Sequence, residues 1–111
     1  MTVKELIQKE KYNVVNYGDD LEQDITKPFC CDLLSIAMSK APEKSVWVTV
    51  MGNINTLAVA ELTDVACIIL AEGAELDNIA LQKAKAQNIT VLSTNEPIFE
   101  AALTVYQYLH D

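Results

Sequence analysis

Three short runs constrain this chain more than anything else in it. "SVWVTVM" (45–51), "VACIILA" (65–71) and "ITVLS" (89–93) are apolar or β-branched almost throughout. A strand with one wet face alternates apolar and polar residues. A run without that alternation needs cover on both faces. Between the runs lie two helical patterns. "INTLAVAELTD" places Ile54, Leu57, Ala58 and Leu62 on one face, and "ELDNIALQKAKAQ" does the same for Leu76, Ile79, Ala80 and Ala84. Strands alternating with helices of about ten residues predict βαβ crossovers and a largely parallel sheet. The expected fold class is α/β: three α/β/α layers around a largely parallel central sheet. With 111 residues, a single domain over 1–111 is expected.

The flanks fit the same picture. "TVKELIQKEK" opens on Thr2 and Glu5, the spacing of a capping box, and carries apolar residues on one side. "YNVVNY" reads as a short strand and "GDD" as a turn. "EQDITKPF" reads as extended, because the residue before Pro28 is pushed out of the α region. Leu33, Leu34, Ala37, Met38 and Ala41 form a helical stripe, which "KAPEKS" ends. The last helix, "EPIFEAALTVYQYLHD", places Ile98, Phe99, Ala102, Leu103, Tyr106 and Leu109 on an expected buried side. Tyr108, two residues from Tyr106, points elsewhere, to solvent or to a partner chain.

Charge and composition exclude several classes. Eight basic against sixteen acidic residues give a formal charge of −8. Nucleic acids and anionic membranes are bound through clustered Lys and Arg, so neither is an expected partner. The apolar runs are far shorter than the roughly 20 residues that span a bilayer. The charged, amphipathic N-terminal segment does not resemble a secretory signal, so the expected location is cytoplasmic. Three cysteines in such a chain do not suggest a disulfide framework.

Ligands of open α/β sheets collect at the carboxyl ends of the strands. Three loops are placed there: "MGN" (51–53), "AEGAE" (71–75) and "STNE" (93–96). Gly52, Asn53, Asn55, Ser93 and Thr94 are the candidate ligand-binding residues they carry. Helix starts favour anions, so a phosphate or nucleotide is one reading. Plain helix capping by Asn53, Asn55, Asp77, Ser93, Thr94 and Asn95 is the other. The chain has neither G-x-x-x-x-G-K-[ST] nor G-x-G-x-x-G, which argues against a self-contained kinase or dinucleotide enzyme, and no cofactor is expected.

Nucleophilic catalysis needs a nearby base, most often His, and the single histidine is the penultimate residue, His110. Cys30 and Cys31 are adjacent, without C-x-x-C spacing, and Cys67 lies in an apolar run as core. They leave a thiol or metal switch as a minor reading, and no metal site is expected. Asp19 and Asp20 read as a solvated turn. Trp47 reads as core or interface packing.

Read in order, "TVKELI", Asp24-x-Thr26, "DLLSIAM", "VWVTV", "NTLAVAEL", "ACIIL" and "ITVLST" resemble the stand-alone DRTGG-domain proteins over residues 1–109. The resemblance implies the fold shared with the N-terminal domain of HPr kinase/phosphorylase and with the DRTGG domains of phosphotransacetylase and CBS-domain pyrophosphatase. It also implies self-association, most often as a dimer. The name-giving turn here reads Asp24-Ile25-Thr26-Lys27-Pro28. Asp24 and Thr26 are kept, Ile25 replaces Arg, and Lys27 and Pro28 replace two glycines. Glycine permits φ > 0 and close backbone approach, whereas proline fixes φ and lacks an N–H. A ligand role that depends on that Arg or on glycine amides loses its basis. Asp24, Thr26 and Asp32 complete the candidate ligand-binding set, with local hydrogen bonding of the turn and helix start as the other reading.

The expected function is a non-catalytic regulatory or protein-interaction domain, acting as a homodimer or with another protein partner. The alternative is a small-molecule sensor that binds a nucleotide or a phosphorylated metabolite at the strand ends.

Overall fold

A computed structural model describes residues 1–111. In chain order the elements are α1 (Val3–Gln8), β1 (Asn13–Asn16), β2 (Pro28–Cys30), α2 (Leu34–Lys40), β3 (Val46–Thr49), α3 (Ile54–Thr63), β4 (Cys67–Leu70), α4 (Asn78–Ala86), β5 (Val91–Ser93) and α5 (Ile98–His110). The strands form one sheet in the order β1-β5-β4-β3-β2. β2, β3, β4 and β5 are mutually parallel, and β1 runs antiparallel to β5 with an irregular register between Val14 and Asn16. The largely parallel α/β architecture read from the sequence is the one observed.

The unalternating runs are the reason for three layers. Every residue of β3 and β4 is buried. Successive side chains point to opposite faces. Val46, Val48, Cys67, Ile69 and Leu92 therefore meet α1 and α5, through Val3, Leu6, Ala101, Ala102 and Val105. Trp47, Ile68, Leu70 and Val91 meet α2, α3 and α4 on the other face, through Ala37, Leu57, Ala60, Ala80 and Ala84. Local signals agree with this frame. The Thr2 backbone N–H donates to Glu5 Oε1 at 2.9 Å, and the Glu5 N–H donates to Thr2 Oγ1 at 3.1 Å. These contacts, the Thr2 backbone N–H first, hold the Glu5 carboxyl below its usual range. Tyr12, which follows α1, donates its hydroxyl to Ala101 O at 2.8 Å and ties the chain's start to α5.

The helices differ from expectation in one consistent way. Small residues lie against the sheet, and several large ones assigned to the core stand outside it. Leu33 and Met38 at α2, Ile54 and Leu62 on α3, Ile79 on α4, and Phe99, Leu103 and Tyr106 on α5 are all exposed. Periodicity locates the apolar sector of a helix but not its centre. Here Ala37, Ala60, Ala80, Ala84, Ala101 and Ala102 share the sheet-facing sides with Leu57 and Val105, and the rotation that buries them turns the other large neighbours outward.

Trp47 is fully buried and donates its indole N–H to Cys31 O at 2.9 Å. It fills the space under α2 and α3 and satisfies a carbonyl beyond the edge strand. Trp47→Ala is expected to cost about 3–5 kcal/mol, a large part of the stability of a small domain. Urea unfolding followed by far-ultraviolet circular dichroism measures this as a lowered midpoint.

Candidate functional site

The carboxyl ends of β2, β3, β4 and β5 form one rim, and chain direction decides which candidates lie on it. Asp32 follows β2, Gly52, Asn53 and Asn55 follow β3, and Ser93 and Thr94 end or follow β5. Asp24 and Thr26 precede β2 and lie at the opposite, amino end of the sheet. The structure thus brings six of the eight candidates to one edge and leaves two at the other.

On the rim, most polar groups are engaged with the chain itself. Asp32 does not cap α2, whose N-cap position is Leu33 with no side-chain bond. Asp32 Oδ1 instead accepts from Thr49 Oγ1 at 2.7 Å and from the Val50 N–H at 2.9 Å. Thr49 Oγ1 in turn accepts from the Met51 N–H at 3.2 Å. Asn53 Oδ1 accepts from the Asn55 and Thr56 N–H groups at 2.9 and 3.2 Å, which occupies the start of α3. Asp77 caps α4 through the Ala80 N–H at 2.8 Å. Thr94 is buried, and its Oγ1 accepts from the Glu96 N–H at 3.2 Å.

The rim loops also bond to one another. The Asp77 N–H donates to Gly52 O, the Gly73 N–H to Thr94 O and the Glu72 N–H to Glu96 O, all at 2.8–3.2 Å. Gly52 is needed for this packing, since a Cβ there would run into the Glu75 carbonyl. Gly73, at φ +73°, supplies the turn.

Asn55 is exposed on the first turn of α3. Ser93 is half-buried and lines a groove of about 250 Å³ with Val15, Leu76 and Leu81. The charge of the rim opposes an anion. Asp32, Glu72, Glu75, Asp77 and Glu96 stand around it, and Lys11, 3.9 Å from Glu96, comes from outside the rim loops.

The amino end is different. Thr26 Oγ1 donates to Glu43 O at 2.9 Å, and its N–H donates to Lys44 O at 3.0 Å. Asp24 is exposed and pairs with Thr2 through an isolated backbone bridge. Between them Ile25 is buried in the core beside Val3 and Leu6. The turn therefore points its middle residue inward. Beside it lies a cavity of about 260 Å³ lined by Asp19, Asp20, Glu61 and Asp64, with Lys44 3.1 Å from Asp64. Gln23 and Gln87 also line it, and each has a buried amide oxygen without a hydrogen-bond partner. Asp19 and Asp20 are exposed, as a solvated turn would be, and also border this cavity. Nothing local marks them as cavity residues, because the other carboxylates come from the end of α3.

Two of the three thiols, Cys67 and Cys30, are held in the protonated form. Burial pushes the Cys67 thiol up to about 12. Cys30 is also raised, by burial first and then by Asp32 and Cys31. A raised thiol stays protonated, and the thiolate is the nucleophile. No three His, Cys, Asp or Glu side chains are grouped so as to hold a metal ion. No helix is long and apolar enough to cross a membrane.

The sheet order, the two helical layers and the closed rim define a DRTGG-like α/β fold. The chain is similar to the crystal structure of the CBS and DRTGG domains of the regulatory region of Clostridium perfringens pyrophosphatase, complexed with its activator diadenosine tetraphosphate. The TM-score is 0.76 at 16% identity, over 96% of this chain and 46% of that one. The chain thus spans about half the length of that neighbour, and at this identity the likeness is one of fold. No family model and no curated protein matches the sequence.

If Asp32 is a bracket between β2 and β3, Asp32→Ala leaves the buried Thr49 hydroxyl and the Val50 N–H without their acceptor. The expected loss is about 1–3 kcal/mol. Chemical denaturation checks it, and an unchanged midpoint would show that the bracket carries no stability.

Proposed function

We propose that this chain is a non-catalytic regulatory module that works through protein contact, as a homodimer in the cytoplasm. The observation that carries this reading is the closed rim. Most of the side chains and N–H groups that chemistry at the strand ends would need are bonded within the chain. The similar fold occurs in the regulatory region of a pyrophosphatase, which supports a regulatory role by analogy. The exposed apolar side chains of α2, α3 and α5 support contact with protein, because a domain of this size leaves such groups to be covered by another chain.

The second reading is a sensor for a nucleotide or another phosphorylated metabolite. Its support is the nucleotide activator bound to the similar structure. Asn55 and Ser93 are the rim candidates whose side chains make no bond within the chain, and Asp24 is the exposed acid of the diverged turn. The carboxylates around the rim oppose this reading, because an anion placed among them meets like charge.

A thermal-shift panel separates the two. A ligand at a hundred times its Kd stabilises by about 2.7 kcal/mol, several degrees in a domain of this size. The expected result with ADP, ATP, diadenosine tetraphosphate and inorganic phosphate at millimolar concentration is no rise in Tm. A rise that Ser93→Ala or Asn55→Ala removes would establish the sensor instead.

A further inference from the structure

The segment 17–27 carries the chain from β1 to β2, from one edge of the sheet to the other, and crosses the amino ends of the strands between them. Three contacts mark its path. The Gly18 N–H donates to Thr90 Oγ1 at 2.9 Å before β5, the Gln23 amide nitrogen reaches Ala66 O at 3.5 Å before β4, and the Thr26 N–H donates to Lys44 O at 3.0 Å before β3. The cavity of about 260 Å³ lies between this strap and the carboxyl ends of α3 and α4. Its wall has two parts. Ala60, Val65 and Ala66 are apolar and buried. Asp19, Asp20, Glu61 and Asp64 are exposed, and Lys44, 3.1 Å from Asp64, is the single cation. Two helix carboxyl ends add partial negative charge. A recess lined by one sign of charge concentrates the other.

The Gln23 side chain narrows the chemistry further. Its amide nitrogen donates to Asp20 O at 2.9 Å as well as reaching Ala66 O, so the amide cannot be turned round. Its oxygen Oε1 is then the atom left buried without a partner, and Gln87 Oε1 is left in the same way. A buried acceptor calls for a donor. What the cavity lacks is therefore N–H groups and positive charge. No three carboxylates are grouped so as to hold a metal ion. The groove at Ser93 has a single carboxylate, Glu75, and no orphaned acceptor.

We propose that this cavity binds a small organic cation, a guanidinium or primary ammonium group on a short carbon chain. Its N–H groups donate to Gln23 Oε1 and to the carboxylates, and its methylenes lie against Ala60, Val65 and Ala66. The volume is below that of pockets for drug-sized ligands and suits a chain of a few carbons. Lys44 is the built-in competitor, because its ammonium already occupies Asp64. The site is independent of the proposed contact role and lies at the opposite end of the sheet from the rim.

Agmatine, which joins a guanidinium to an ammonium through a short methylene chain, is the probe. Proton–nitrogen correlation NMR of the nitrogen-labelled chain reads its binding, with sodium chloride and magnesium chloride at matched ionic strength as controls. Amides of residues 19–23, 61–66 and 87–89 are expected to shift and saturate with agmatine alone. Glu61→Gln is expected to weaken binding about fivefold and Lys44→Met to tighten it by a similar factor. Gln23→Met is expected to abolish saturation. Should that chain fail to fold, the other two substitutions still decide, since both alter only side chains with exposed surface. Shifts that magnesium chloride reproduces, or that spread equally to Glu72 and Glu75, are counterion screening and overturn the site. So does a titration that never saturates, or an affinity indifferent to Glu61→Gln and Lys44→Met. Saturable binding that survives Gln23→Met overturns the role of Oε1 as acceptor.

Discussion

Burial of β3 and β4 on both faces is the constraint on which the rest of the molecule depends. Val46, Trp47, Val48, Cys67, Ile68, Ile69 and Leu70 have no exposed surface, so neither face of the sheet can be left wet. That requires a helical layer on each side, and parallel strands provide it, since each crossover lays a helix on a face. The sequence has room for only three long helices, α3, α4 and α5, and for the shorter α1 and α2. Two layers built from so little chain cover the centre of the sheet and leave its edges thinly dressed. The exposed aromatic flank of α5 beside β2 follows from this shortage, as does the exposure of Leu33, Ile36 and Met38 around α2.

The same economy shapes the rim. Its loops are short and close on one another through backbone bonds, with Gly52 admitting the Glu75 carbonyl and Asp32 holding β2 to the start of the β3–α3 loop. Of the polar residues that in isolation read as ligand groups, Asn53 satisfies orphaned N–H groups at the start of α3, while Asp32 and Thr94 bond N–H groups of the rim loops. The rim is a structural seam with a negative rim charge. The exposed apolar side chains lie instead on the helices, at Leu33, Ile36 and Met38 around α2, Leu62 on α3, Ile79 on α4 and Phe99 and Tyr106 on α5.

The strands were legible because their signal is local: a run such as "VACIILA" is apolar at consecutive positions and needs no knowledge of its neighbours. The capping box at Thr2 and Glu5 was legible for the same reason. Asp32 was legible as a polar residue before a helix, but its partners Thr49 and Val50 lie 17 and 18 residues on, and no local pattern joins them. The opposition of Asp24 and Thr26 to the other candidates follows from chain direction once β2 is known to be parallel. β2 is three residues long and begins at a proline, so it is nearly silent in the sequence. Helix rotation was the least legible feature. Leu62 and Ala60 lie on nearly opposite sides of α3, both sides carry apolar residues, and no local pattern tells which of them meets the sheet.

The central claim is that this molecule works through its exposed helical surface and not at the carboxyl ends of the strands. Hydrogen–deuterium exchange with and without nucleotide, measured across a dilution series, tests it most directly. The predicted result is that amides on the helices gain protection as concentration rises, while amides of the rim loops 50–53 and 71–77 keep one exchange rate at every concentration, with or without added nucleotide. Protection that rises at the rim with nucleotide, while the helices stay indifferent to concentration, would contradict the account.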